Sequence, residues 1–256
     1  MPTWNADQYL RFADQRTQPC RDLAQRVPLP SPQRVIDLGC GPGNSTAVLS
    51  ERWPDAHITG LDSSAAMIAA AQASAPHGHW IQQDIGNWRP ADRYDLIFSN
   101  AALQWLPDHA QLFPLLLTSL APGGALAVQM PANDQDSLAH RLICEIAQAS
   151  KWKNRLSNIH RWHVHEPAFY YDVLSSLTSH LDLWTTQYLH VLAGPQEIVQ
   201  WYKGTGLRPY LDALTRPVDQ QEFLAEYQAA VTAAYPPQPD GKVLFPFRRV
   251  FFIARI

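Results

Sequence analysis

Cysteine is scarce in this chain, and its three copies, Cys20, Cys40 and Cys144, are scattered, odd in number and without a C-x-x-C pair. That disfavours a disulfide framework and a zinc knuckle, and the three read as reduced thiols. No stretch approaches 18 uninterrupted apolar residues, and the segment from Met1 to Asn5 has neither a basic start nor an apolar run, so no membrane partner and no export leader is expected. Charge of one sign is also lacking: the net charge is −3 with no block of like charges. Nothing therefore draws the whole molecule to nucleic acid or an anionic surface, and an anionic ligand must meet local arginines. There is no internal repeat, and no low-complexity tract beyond the high proline count. These absences lead to the expectation of a soluble, cytoplasmic chain, a monomer or weak oligomer that handles a small molecule.

What is present alternates strands with helices. Residues about 5–26 read as helical, with Tyr9, Leu10, Phe12, Leu23 and Ala24 as apolar contacts, and Pro28, Pro30 and Pro32 stop the helix. Strands follow at about 34–38, 57–62, 80–83, 95–99 and 126–130. Between them lie a helix ending near Arg52, one at 64–75 capped by Ser63 or Ser64, and one at about 108–120. The turn Ala121-Pro122-Gly123-Gly124 is expected to lead into the fifth strand. This alternation implies parallel crossovers and an α/β fold. Further helices are expected at about 137–149 and 167–178, and strands at 181–191 and 243–255. Helical pieces at about 195–203, 207–214 and 219–235 fill a connection far longer than a hairpin needs, which reads as a lid over the substrate. The expected organisation is one domain, with N-terminal helices in 1–27, a core at about 28–191 and 241–256, and a helical cap at about 195–240.

The most informative segment is Val35-Ile36-Asp37-Leu38-Gly39-Cys40-Gly41-Pro42-Gly43-Asn44-Ser45, an apolar strand running into an acid and then three glycines at alternate positions. Glycine lets the backbone turn tightly and approach a ligand closely, and the following helix presents free N–H groups, as a nucleoside pocket requires. A dinucleotide fingerprint wants Gly or Ala at its sixth position. Counted from Gly39 that position is Asn44, and from Gly41 it is Thr46. Asp37 suits a cationic amino group better than a pyrophosphate, and these details favour S-adenosylmethionine. Ligands of an open parallel sheet lie beyond the carboxyl ends of its strands. Asp37, Asp62, Asp84 and Asn100 gather there. Asp62 can accept both ribose hydroxyls, and Asp84 the adenine amino group, directly or with the Ile85 backbone. Alone, each aspartate could equally be a helix cap or turn residue. Their joint placement points to a site.

With DLGCGPGNST at 37–46, GLDSS at 60–64, QQDIGNW at 82–88, YDLIFSNAALQWLPDH at 94–109 and APGGALAVQMP at 121–131, the chain resembles the class I S-adenosylmethionine-dependent methyltransferases. WNADQYLRF at 4–12, YYDVLS at 170–175, TGLRPYL at 205–211 and FRRVFFIAR at 247–255 narrow the resemblance to the trans-aconitate methyltransferases. It implies a Rossmann-like, doubly wound, mostly parallel seven-stranded sheet with the last strand antiparallel, and methyl transfer to one carboxylate of trans-aconitate. On this reading the cofactor residues are Asp37, Gly39, Cys40, Gly41, Asn44, Asp62, Ser63, Met67, Asp84, Ile85 and Asn100. The segment from Lys151 to Glu166 matches no pattern of the family.

Esterifying a carboxylate needs no general base, because its reference pKa near 4 leaves it ionised at pH 7. The site must supply alignment, worth up to roughly 7–11 kcal/mol, and dryness. Carboxylates call for arginine forks, and Arg208 in the insertion and Arg249 on the last strand are the candidates. Arg249 shares a strand face with Phe247, Phe251 and Ile253, an odd place for a charge without a partner. A structural carboxylate for Arg249 and plain solvation for Arg208 are the competing roles. Gln104 and Trp105, just after the fourth strand, sit where the transferred methyl should emerge. Tyr9, Tyr171, Trp201 and Tyr210 are candidate pocket walls, although aromatic residues on helices more often pack. His160, His163 and His165 are spaced H-x-x-H-x-H, which is no standard zinc pattern, and no metal is expected.

Three functions remain open. The first is a carboxyl O-methyltransferase forming the monomethyl ester of trans-aconitate or a similar small polycarboxylate. The second methylates a malonyl thioester on a carrier protein, for which this acidic chain shows no basic docking surface. The third is a non-catalytic sensor of S-adenosylmethionine.

Overall fold

The computed structural model describes residues 12–132, 137–157, 159 and 162–256. Tyr9, His160 and the beginning of the helix expected over 5–26 lie outside them. The strands are β1 Arg34–Leu38, β2 His57–Asp62, β3 His79–Gln82, β4 Tyr94–Asn100, β5 Leu120–Pro131, β6 His180–Leu192 and β7 Val243–Arg255. They form a seven-stranded sheet in the order β3-β2-β1-β4-β5-β7-β6. β1 pairs in parallel with β2 and β4, β2 with β3, and β4 with β5, whereas β7 is antiparallel to β5. The expected sheet is therefore present, with the last strand of the sequence reversed. Strand order switches direction between β1 and β4, where an open α/β sheet leaves a crevice at its carboxyl edge.

The helices are α1 Ala13–Arg26, α2 Asn44–Arg52, α3 Ala65–Ser74, α4 His109–Thr118, α5 Leu138–Gln148, α6 Pro167–Leu174, α7 Pro195–Lys203, α8 Arg208–Ala213 and α9 Pro217–Ala234. Two compact units divide the chain. Among the described residues, one comprises Ala13–Pro131, His163–Thr186 and Arg249–Ile256, and the other Phe12, Ala132, 137–157, Ile159, Trp162 and Gln187–Arg248.

In the first unit Val35, Ile36 and Leu38 are wholly buried, as an apolar run in a parallel strand covered on both faces must be. Ser64, not Ser63, caps α3, its Oγ accepting from the Met67 N–H at 3.4 Å. Ala121 to Gly124 is not a turn ahead of β5. It is a bulge inside the strand, because pairing with β4 starts at Tyr94 opposite Leu120 and resumes at Leu96 opposite Ala125. Gly123, at φ +77°, absorbs the kink. In the second unit Trp201 is buried against Phe245 and Phe247, at ring separations of 5.8 and 5.4 Å, and Tyr210 stacks on Phe223 at 5.9 Å. Both expected pocket walls are core packing of that unit.

Candidate functional site

The three loop glycines all have positive φ, but they serve different ends. A Cβ on Gly39 would lie 2.1 Å from the Ala102 Cβ, so this glycine lets β1 pass the segment after β4. Gly43 caps α2, and a Cβ there would meet Trp80 at 3.1 Å. A Cβ on Gly41 would meet nothing within 4 Å. Gly41 is thus where bare backbone faces open space that a ligand can fill. The loop is held from β2: the Gly39 and Cys40 N–H groups donate to the Leu61 carbonyl at 2.7 and 3.0 Å, and the Gly41 N–H donates to Asp62 Oδ2 at 3.0 Å. Asp62 Oδ1 accepts from the Ser64 N–H at 2.8 Å. Cys40 is buried, and burial, followed by the charges of Asp37 and Asp62, raises its thiol pKa, so it packs as a neutral group.

Asp37 has no exposed surface. Its Oδ2 accepts from the Ser45 and Thr46 hydroxyls at 2.6 and 2.7 Å, while its buried Oδ1 has no hydrogen-bond partner among the described residues. Burial pushes its pKa up to about 6, with the two hydroxyls opposing the rise and the charge of Asp62 adding to it. Burial likewise raises Asp62, against the N–H groups of Ser64, Gly41 and Ser63. A buried carboxylate with one unused oxygen needs a cationic donor to become comfortable as an anion. Asn100 Oδ1 is also buried without a partner among the described residues. These acceptors, beside the open Gly41, fit a ligand that brings an ammonium and hydroxyl donors.

Sheet register extends this into a row. Asp37 lies opposite Phe98, Asn100 opposite Gln129, and Pro131 opposite Arg249. Register partners and residues two apart share a face, so Asp37, Asn100, Gln129 and Arg249 line one face of β1, β4, β5 and β7 at the carboxyl edge. Arg249 is 3 % exposed, and its Nη1 donates to Gln129 Oε1 at 3.1 Å. This hydrogen bond is to a carboxamide. Gln129 is absent from the sequence-derived site, although its signal is there: one polar residue inside the buried run from Ala125 to Met130 of a central strand.

Beside the row, Gln104 is buried, with Nε2 donating to the Ala101 carbonyl at 2.7 Å and Oε1 without a partner among the described residues. Ala101 adopts the left-handed φ of +56°, held by its N–H on the Gln129 carbonyl at 2.9 Å. Such strain persists only where the surroundings enforce it, commonly at sites. Trp105, in the 3-10 turn Leu103–Trp105, is half-buried. The Gln104 carbonyl accepts from the His163 N–H at 2.8 Å. Tyr171 is 58 % exposed, and the tyrosine built into the fold is its neighbour Tyr170. Burial lowers the His109 pKa to about 4, leaving the ring neutral at pH 7. Its Nε2–H donates to the Leu103 carbonyl at 3.0 Å, so Nδ1 accepts from the Tyr170 hydroxyl at 3.1 Å. That hydroxyl accepts from the His165 N–H at 3.0 Å.

The remaining candidates scatter more widely. Asp84 Oδ1 caps the turn Ile85–Asn87 by accepting from the Gly86 N–H at 2.8 Å, and Ile85 Cδ1 is 3.7 Å from the place of a Gly39 Cβ. Met67 is buried and Ser63 exposed. Asn44 lines a depression of about 400 Å³ with Thr17, Gln18, Arg21 and Glu51. In the second unit Arg208 opens α8, partly buried, with Nη2 3.8 Å from Asp212 Oδ1. No cluster of three or more His, Cys, Asp or Glu side chains that could hold a metal occurs among the described residues.

Residues 12–210 match a family model described as a methyltransferase domain. The trans-aconitate 2-methyltransferase of Azoarcus sp. (strain BH72) is 50 % identical over 255 residues, covering 99 % of both chains. That of Methylobacterium nodulans is 50 % identical over 257 residues, covering 100 % of this chain and 99 % of its own. Among solved structures, the YcgJ protein from Bacillus subtilis superposes with a TM-score of 0.62 at 14 % identity, over 93 % of this chain and 98 % of that one. Phosphoethanolamine N-methyltransferase 2 of Haemonchus contortus, in complex with S-adenosyl-L-methionine, gives 0.56 at 14 % identity, over 93 % and 52 %. At such identities the likeness is one of fold.

Proposed function

Because this chain belongs to the trans-aconitate 2-methyltransferases, within the wider methyltransferase family, we propose that it forms the monomethyl ester of trans-aconitate or a similar small polycarboxylate, with S-adenosylmethionine as methyl donor. The observation that carries this reading is the buried row. It has an acid suited to an ammonium at one end, Asp37, and a guanidinium suited to a carboxylate at the other, Arg249.

Bound at the carboxyl edge, S-adenosylmethionine supplies a methyl group on a sulfonium, open to displacement by an anionic oxygen. Asp37 receives the cationic amino group through Oδ1, Gly41 admits the cofactor to the backbone, and Asp62 and Asn100 offer acceptors for its hydroxyl and amino donors. Arg249 fixes a substrate carboxylate by charge-assisted hydrogen bonds. The acid arrives ionised, so the residues align and dry the reactants instead of moving a proton.

Gly41→Ala is expected to fold, at a cost of about 1–2 kcal/mol for its left-handed φ, yet to weaken S-adenosylhomocysteine binding at least tenfold in calorimetry, because the new methyl takes the ligand's space. Unchanged affinity would move the cofactor elsewhere. Asp37 supplies a pH test. Its pKa is raised in the fold from 3.8 to about 6, so ionising it destabilises the empty protein as the pH rises through that window. A bound ammonium favours the ionised form. Affinity for S-adenosylhomocysteine should therefore fall as the pH drops below about 6, by up to roughly tenfold per unit, and Asp37→Asn should be weak throughout with that slope gone.

Incubation with methyl-labelled S-adenosylmethionine and a panel of acids tests the reaction itself. A base-labile ester on free trans-aconitate is the expected product. Ester only on a carrier-linked malonyl group, or cofactor binding without any ester, would replace this reading with one of the two alternatives.

A further inference from the structure

Gln129 is the one member of the row that the proposed reaction has not used. Its side chain is fully buried in a central strand between β4 and β7, where an amide left without hydrogen bonds is costly. Nη1 of Arg249 can only donate, so the carboxamide must turn Oε1 toward it, at 3.1 Å. That orientation sends Nε2 the other way, and this nitrogen has no partner among the described residues. A second observation ties Gln129 to the same place: its carbonyl holds the N–H of Ala101, the strained residue whose own carbonyl anchors Gln104.

We propose that Gln129 is the positioning residue of the acid site, setting the Arg249 guanidinium as a carboxylate receptor and offering its own Nε2–H to the same anion. This rests on the reading of Arg249 given above. The choice of a carboxamide is chemically pointed. A carboxylate at 129 would hold the arginine equally well but cancel its charge, and it would replace a donor with an acceptor. A carboxamide orients the guanidinium without itself cancelling the charge.

The test compares Gln129→Glu, Gln129→Met and Arg249→Met by steady-state kinetics with trans-aconitate, cofactor calorimetry and melting. Gln129→Glu should raise the KM for trans-aconitate at least 100-fold, with cofactor affinity within threefold of the parent and no loss of melting temperature. Gln129→Met, which keeps the volume and loses both polar functions, should raise that KM about tenfold and serves if the glutamate variant fails to fold. A purely structural glutamine would show the reverse, an unchanged KM in both variants, with any loss confined to the melting temperature. That result, together with a raised KM in Arg249→Met, would overturn the role of Gln129 and leave the reading of Arg249 standing. An unchanged KM in Arg249→Met would overturn both.

Discussion

Arg249→Met is expected to lower kcat/KM for trans-aconitate by two to three orders of magnitude while leaving cofactor affinity unchanged. The guanidinium is buried on a sheet face, so a carboxylate bound to it is shielded from water. Removing one partner of such a desolvated pair costs roughly 2–5 kcal/mol, which is about 30-fold to several thousandfold in rate. Methionine fills the space of the stem, and the Gln129 carboxamide oxygen loses this donor, a change worth about 1–3 kcal/mol of stability. Steady-state kinetics and calorimetry separate the two effects. An unchanged KM for the acid would remove Arg249 from the site.

The second large effect concerns the fold beneath the site. Gly39→Ala is expected to cost more than about 3 kcal/mol and to lower the melting temperature by roughly 10 °C, with loss of cofactor binding. The added Cβ would lie 2.1 Å from the Ala102 Cβ, and both carbons are fixed to backbone, so no rotamer change relieves the clash. The φ of +75° adds left-handed strain. The contrast with Gly41→Ala is the informative one, because two glycines that look alike in the sequence should fail for different reasons: one by unfolding the loop, the other by occupying the ligand's place. A melting temperature within 2 °C of the parent would show that the loop is free to move away from Ala102.

Those two glycines also mark what a sequence can and cannot reveal. Strand ends were legible because an apolar run meeting an acid or a glycine is a local event, and β1, β2 and β7 fall where the pattern puts them. Pro122 and Gly123 mislead because the same residues serve a turn and a bulge, and only the resumed pairing with Tyr94 and Leu96 decides between them. The pair Tyr170 and Tyr171 is ambiguous in a short helix, since adjacent aromatics point to different faces and the covered one is chosen by His109 and Phe252 of distant segments. Trp201 and Tyr210 look like pocket walls until the core of Phe245, Phe247 and Phe223 closes on them. Arg249 could be singled out as a charge on an apolar strand face. Its partner could not, because Gln129 is brought beside it by the antiparallel register of β5 and β7, a pairing across more than a hundred residues.

The central claim is that the site aligns an already ionised carboxylate and moves no proton. The initial rate of base-labile methyl ester formation on trans-aconitate, at saturating substrates between pH 7 and 9, tests this most directly. A level rate is the expected result, because Asp37 and the substrate carboxylates are ionised across that range. A rate that climbs toward tenfold per pH unit would reveal a general base and contradict the claim.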